Sequence, residues 1–362
     1  MAWPVNAKSK GLYIMGTPAA GKTALAAGLI QKLLKEGLRV AYFKPVAQFA
    51  HGREEDDDVA LMRSLLGAEG DGGNGTEWSA VRMAGPSYLS LGAQRDDDAR
   101  RHVRRIFEDK AASADAVVVG GSAYPYAYAG CGLDDLSLAG ELGANALFVF
   151  TADNDFRLDQ ALFFARSARQ AGIPLLGAVL NNVPRPLLAK TEGIYRPVLE
   201  REGCPVLGVI PRRREIASPT VEEYVETLGG ELLAGENALD RLVGEVVIGA
   251  MTADSALTYF RRSADKAVFL GGDRAEVALA ALETSTSVLV LTGGLYPDVR
   301  VIARAREKNV PVLLVHDDTF TAVEKVGHLT RRLKPGNAAA LSVTLENVET
   351  YFRWSAVVEA LR

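Results

Sequence analysis

The sequence predicts an α/β protein: a parallel sheet with helices on both faces, followed by a second, smaller α/β unit. Three observations predict it. Short apolar runs such as Leu12 to Met15, Asp115 to Val119 and Ala144 to Thr151 alternate with helical patterns, the order that builds parallel sheets. The first run enters a glycine-rich turn that opens a helix. After the Gly229-Gly230 break and Gly235, a fresh series of strand-like runs begins at Val243.

The turn is Gly16-Thr17-Pro18-Ala19-Ala20-Gly21-Lys22-Thr23, a complete GxxxxGK[ST] phosphate-binding loop with a strand before it and a helix after it. It makes the first sheet a P-loop NTPase-type sheet. Its glycines let successive N–H groups turn inward at a helix N-terminus, where the helix dipole adds partial positive charge. Gly16, Thr17, Ala20 and Gly21 therefore form the expected phosphate cradle. Lys22 is expected on the β/γ-phosphates and the Thr23 hydroxyl on Mg²⁺, so ATP with Mg²⁺ is the expected cofactor pair.

Composition narrows the partners. Net charge is −4 with the signs interspersed and no basic stripe, which argues against nucleic acid. No apolar stretch approaches the roughly 20 residues of a membrane helix. Cys131 and Cys204 show neither CxxC nor zinc spacing, and Met1-Ala2-Trp3-Pro4 carries no apolar signal segment, so a reducing cytoplasm is expected. A homo-oligomer is expected.

Along the chain, Leu25, Leu29 and Leu33 recur at helical spacing, with Gly37 at the C-cap position. Arg39 to Phe43 reads as a second buried strand ended by Lys44-Pro45. Lys44 is either a solvated strand-end lysine or points into the ligand crevice. The charge run Arg53 to Asp58 reads as a loop with one helix N-cap, and Asp58 is placed to face a metal. Glu69 to Gly75 reads as a glycine-rich loop and Ala99 to Ala112 as a charged helix. Past the strand ending at Gly120-Gly121-Ser122, the tyrosines at 124, 126 and 128 read as a crevice lid or a surface contact. A helix from Leu158, a strand from Leu175 to Leu180 ending in Asn181-Asn182, and a last strand from Cys204 to Ile210 complete the layer. Glu222 to Leu233 is expected as one connecting helix with a glycine break. The expected domains are 1–234, 235–341 and a helical tail over 342–362. In the second, Gly271-Gly272-Asp273-Arg274 and Thr292-Gly293-Gly294 each end a strand.

The P-loop, Phe43-Lys44-Pro45-Val46, Ala93-Gln94, Val117 to Val119, Asn181 and Gly208 to Pro211 together resemble the dethiobiotin synthetase (BioD-like) family. Asp273-Arg274 with Thr292-Gly293-Gly294 resembles the signature of the DRTGG domain. The pairing is similar to the N-terminal region of long phosphotransacetylases and the stand-alone proteins like it. The resemblance implies that Lys22 and Lys44 face the reacting phosphate or an acid substrate, and Thr23 and Asp58 the Mg²⁺. It also implies Asn181 on the adenine edge, Asn182 being equally reachable, with Pro211 on the nucleotide. Two departures stand out: Gly120 replaces the synthetases' metal-binding glutamate, and Pro18-Ala19-Ala20 lacks their acidic P-loop residue.

Two functions follow as expectations: an ATP-binding regulatory or sensor protein without phosphate acetyltransferase catalysis, or an ATP-dependent ligase that activates a carboxyl or carbamate group. A slow ATPase fits either. In the second domain Asp273, Arg274, Thr292, Gly293 and Gly294 are expected at one carboxyl-end crevice. The glycines would offer N–H groups and Arg274 a fork to a small anion, or else Asp273 and Arg274 pair and only shape the turn or a dimer contact.

Overall fold

The computed structural model describes residues 9–48, 55–67, 77–83, 97–327, 329, 333–335 and 337–361. Ala93-Gln94, the loop over 69–75, Arg53 and the first four residues lie outside them. The chain divides into two compact units, 1–213 with 333–362, and 214–332.

The first unit is a six-stranded parallel sheet in the order β2-β5-β1-β6-β7-β8, formed by β1 (Gly11–Gly16), β2 (Val40–Phe43), β5 (Ala116–Gly120), β6 (Asn145–Thr151), β7 (Leu175–Val183) and β8 (Val206–Pro211). A separate parallel pair joins β3 (Val46–Gln48) to β4 (Val81–Met83). Helices lie on both faces of the large sheet, so its central strands read as unbroken apolar runs; every residue of β1 and of β2 is buried. The connecting helices include α1 (Lys22–Lys35), α2 (Asp57–Leu66), α3 (Asp97–Ser113), α4 (Asp135–Leu142) and α5 (Asp155–Gln170). β1 lies centrally between β5 and β6, which sets its carboxyl end, and the loop that leaves it, at the crevice where α/β sheets bind ligands.

The second unit is a five-stranded sheet in the order β10-β11-β12-β13-β9, built from β9 (Glu231–Ala234), β10 (Glu245–Ile248), β11 (Lys266–Gly271), β12 (Thr286–Thr292) and β13 (Val312–Leu314). Four strands run parallel and β9 pairs antiparallel with β13. Apolar clusters cover both faces, one around Phe260, Leu289 and Val301 and the other around Tyr224, Phe269 and Val290. The single connecting helix expected over 222–233 is instead α6 (Val221–Leu228) followed by β9. Gly229 and Gly230, at φ 65° and 96°, stop the helix, and the next four residues gain a ladder on β13. The compact division thus assigns 214–234, read from sequence as part of the first domain, to the second unit.

The tail is two helices, α11 (Ala338–Tyr351) and α12 (Trp354–Leu361), where the others of the second unit are α7 (Ala253–Phe260), α8 (Ala275–Leu282), α9 (Val299–Lys308) and α10 (Thr319–Gly327). The break between α11 and α12 makes a bridge from Phe352 to Gly208, and the Arg353 N–H donates to Leu207 O at 2.8 Å, which covers the β8 edge. α11 packs on α1, with the Gln31 amide donating to Leu341 O and the Thr344 hydroxyl. Among the described residues no helix is long and apolar enough to cross a membrane.

Gly28 is where the two helices touch, since a Cβ there would lie 2.3 Å from Thr344 O. Gly28→Ala should therefore destabilise the protein by about 1–3 kcal/mol through overpacking. At an exposed helical site the same change would stabilise by up to about 1 kcal/mol. Urea unfolding measures the difference, and a gain in stability would contradict the packing.

Candidate functional site

The loop between β1 and α1 has the conformation its glycines permit. Gly16 has φ 150° and Gly21 φ 81°. A Cβ on Gly16 would meet Val149 O at 1.9 Å, so the loop lies tight against β6, to which the Thr17 N–H also donates at 3.2 Å. Ala20 is fully buried under the turn. Lys22 folds back over the loop, its Nζ donating to Gly16 O (3.2 Å), Thr17 O (3.0 Å) and Ala123 O (3.2 Å). Burial lowers the Lys22 pKa to about 8, against the opposing pull of Asp135 and Asp58.

Thr23, in the first turn of α1, begins a chain of polar contacts. Its hydroxyl donates to Asp58 Oδ1 at 2.7 Å, and the other Asp58 oxygen accepts from Lys44 Nζ at 2.6 Å. The same ammonium donates to Asp56 at 2.9 Å. Asp56 is the N-cap of α2, accepting from the Asp58 and Val59 N–H groups, and it also accepts from the Gln48 N–H at 2.8 Å. Lys44 is buried between these carboxylates, which speaks against the solvated strand-end reading. Burial works to lower the Lys44 pKa, but Asp58 and Asp56 outweigh it and the ammonium is held above its ordinary range. Asp58 sits below the usual carboxylate range: burial pushes it up, while Lys44, Thr23 and Lys22 pull it further down. Burial dominates at Asp56 and raises it.

Thr23 Oγ1 and Asp58 Oδ1 are the neighbouring oxygens that could hold a divalent cation. Mg²⁺ commonly takes one or two protein oxygens and completes its octahedron with phosphates and water, so this pair fits it. Among the described residues no group of three or more His, Cys, Asp or Glu side chains could hold a metal.

Asn181, at the end of β7, donates its amide to Ala20 O at 2.7 Å, so it fastens the loop as well as facing it. Asn182 has φ 57° and accepts from Arg212 Nε at 3.1 Å. Pro211 closes β8, in register with Val183 one strand beyond Asn181.

Sequence reasoning missed Asp135. This carboxylate is 1% exposed, accepts from the Ser122 N–H (2.9 and 3.1 Å) and from the Tyr13 hydroxyl (3.2 Å), and interacts with Lys22. Burial raises its pKa to about 7, the Ser122 N–H and Lys22 opposing the rise. Its position four residues after Cys131, in the first turn of α4, looks like ordinary helix-start chemistry, and only the fold brings it to Gly121. Tyr42 was missed too: the phenol is buried beside Gly120, and burial, with Asp58 and Asp56 adding, raises it well above its ordinary value.

In the second unit the motif residues do gather at the carboxyl ends of β11 and β12, but, Asp273 apart, their polar groups turn inward. Arg274 forks onto Gly249 O (2.9 Å) and Met251 O (2.8 Å); no Arg274 ion pair with Asp273 occurs among the described residues, and Asp273 is exposed. The Gly293 and Gly294 N–H groups, expected to be open to an anion, donate to Asp317 O and Val315 O, both at 2.9 Å. Thr292 shares its hydroxyl with Leu270 O and Thr319. The correction has a simple cause: glycines at φ 83° and 66° let the loop approach β13 closely enough to satisfy its own N–H groups.

Two domain models match the chain. An AAA domain model matches residues 10–220 and a DRTGG domain model residues 223–329. The phosphate acetyltransferase of Nitratidesulfovibrio vulgaris is 24% identical, aligned over 95% of this chain and 50% of its own length. That of Pseudomonas putida is 25% identical over 86% of this chain and 46% of its own. The chain thus spans about half the length of the curated relatives it matches. A solved structure of the CBS and DRTGG domains of the regulatory region of Clostridium perfringens pyrophosphatase, complexed with its activator diadenosine tetraphosphate, is 28% identical, covering 36% of this chain and 60% of that one at a TM-score of 0.28.

The raised Asp135 gives a pH signature. Between the unfolded value of 3.8 and the folded value of about 7, the native state keeps a proton that the unfolded chain has lost. The stabilisation is complete below the lower value and is lost as pH rises through the higher, at up to about 1.4 kcal/mol per pH unit. Asp135→Asn, which keeps an acceptor for Ser122 and Tyr13, should flatten that decline. Parallel stability profiles for the two proteins would contradict the assignment.

Proposed function

This chain belongs to the AAA domain family and carries a DRTGG domain after it, and on that premise we propose that it binds ATP with Mg²⁺ at the P-loop and serves as a regulatory or sensing protein. The observation that carries the reading is the complete loop itself: Gly16 and Gly21 at positive φ angles that favour glycine, and Lys22 and Thr23 starting a 14-residue helix whose N-terminus attracts phosphate. On this reading the N–H groups at Gly21 and the start of α1 cradle the phosphates, and Lys22 leaves the loop carbonyls to meet the β/γ-phosphates. Thr23 and Asp58 hold the cation, whose charge offsets that of the triphosphate. Asn181, already on Ala20 O, stands at the nucleotide's base side, with Pro211 beyond it.

Lys44 favours sensing over ligation. A lysine that activates a carboxyl or carbamate substrate must reach it, whereas this ammonium is buried between two carboxylates at 2.6 and 2.9 Å. The ligase reading rests on Lys22 and Lys44 both lying at the crevice, and ATP turnover stimulated by a small amine or carboxylic acid would favour it. A homo-oligomer remains part of the proposal. Its support is a set of exposed apolar side chains in the second unit, Tyr296, Val299 and Phe320, each at least 67% exposed.

A ligand that binds only the folded state stabilises it by RT ln(1 + [L]/Kd), about 2.7 kcal/mol at a hundredfold excess over Kd. ATP with Mg²⁺ should raise the melting temperature accordingly, and Lys22→Ala should remove most of the shift. Equal shifts in both proteins would sink the proposal.

A further inference from the structure

We propose that Tyr42 sets the number of protein oxygens that a cation meets at the P-loop, by filling the space that a side chain at position 120 would need. The inference rests on the reading of the loop as an ATP–Mg²⁺ site and concerns its metal half. β2 and β5 are parallel neighbours with Tyr42 in register with Val118, and side chains alternate along a strand, so Tyr42 shares its sheet face with Val118 and Gly120. At Gly120 an added Cβ would lie 2.1 Å from Tyr42 Oη, 2.9 Å from Cζ and 3.2 Å from Cε2. The phenol cannot step aside, because it is a rigid ring 1% exposed in the interior of the sheet. On the opposite face, a Cβ at Gly121 would meet Asp135 Oδ2 at 2.6 Å. Both glycines at the carboxyl end of β5 are therefore held by neighbours from other elements, and β5 contributes no side-chain oxygen to the crevice.

The cation is left with Thr23 Oγ1 and Asp58 Oδ1, 2.7 Å apart. Two protein oxygens hold Mg²⁺ weakly unless phosphates supply more. The metal then enters with the nucleotide and leaves with it, so the site responds to the metal–nucleotide complex and hardly to free Mg²⁺. A carboxylate at 120 would add a third oxygen, but only once the phenol is gone.

The test titrates Mn²⁺ by electron paramagnetic resonance into the full-length wild type, Gly120→Glu, Tyr42→Ala and the double variant, first with the metal alone and then with a non-hydrolysable ATP analogue. Tyr42→Ala with Gly120→Glu should bind Mn²⁺ alone at least tenfold more tightly than wild type, while Gly120→Glu by itself gains nothing. A gain in the single variant equal to that of the double overturns the proposal, as does a folded double variant with wild-type affinity. Should the glutamate variants fail to fold, Gly120→Ala decides the matter by melting temperature. It should lower the midpoint in the wild-type background and not in the Tyr42→Ala background, and equal losses in both would overturn the role of Tyr42. If the analogue binds to none of the variants, the ATP reading fails, and the metal-alone titration and the melting comparison still decide the role of Tyr42.

Discussion

The ammonium of Lys44, held between Asp56 and Asp58, is the interaction on which the first unit's site depends. Burying Lys44 and Asp56, with Asp58 half-buried beside them, is costly, and it is tolerated only where the charges find partners and further hydrogen bonds. Here the accounting closes. Lys44 donates to both carboxylates, Asp56 also caps α2 and accepts from Gln48, and Asp58 accepts from Thr23. One buried cation thereby ties the end of β2, the start of α2 and the first turn of α1 to one another. Charge-assisted bonds of this kind fix direction as well as distance, which is what a phosphate-binding loop needs from its surroundings.

The P-loop helix is held from its other side too. α11 meets α1 at Gly28, and Glu349 lies 3.7 Å from Lys32 and 3.6 Å from Lys35, while Lys32 sits over the Trp354 ring at 4.3 Å. These ion pairs are partly exposed and contribute little by themselves. The backbone-to-backbone approach at Gly28 is the specific part. The first unit is thus closed by residues that follow the whole second unit in the chain, and its P-loop helix is packed partly by α11.

Much of this could be read without coordinates where the signal is local. The P-loop needs only eight consecutive residues, and the parallel sheet follows from alternating apolar runs and helical patterns. Asp273-Arg274 and Thr292-Gly293-Gly294 do come to one edge of the second sheet, because each ends a neighbouring parallel strand. What stayed illegible depends on long-range pairing. Tyr42 reads as one more apolar-face residue of a buried strand until β5 is laid beside it. Asp135 has no mark that separates it from Asp134, the actual N-cap of α4. The loop glycines of the second unit, open to an anion by sequence, are satisfied by carbonyls at Val315 and Asp317 that only β13 brings near. β9 was hidden for a different reason: Glu231, Leu232, Leu233 and Ala234 are all good helix formers, and only the ladder on β13 overrides that preference.

The central claim, that the Lys44–Asp58 pair organises the phosphate site, is tested most directly by a double-mutant cycle on ATP affinity. Wild type, Lys44→Met, Asp58→Asn and the double variant are compared by calorimetry at fixed Mg²⁺. The account predicts that the two substitutions are coupled by about 1–3 kcal/mol, because losing either partner already strands the other in the buried site. Additivity to within about 0.5 kcal/mol would contradict it and leave the two residues as independent contributors.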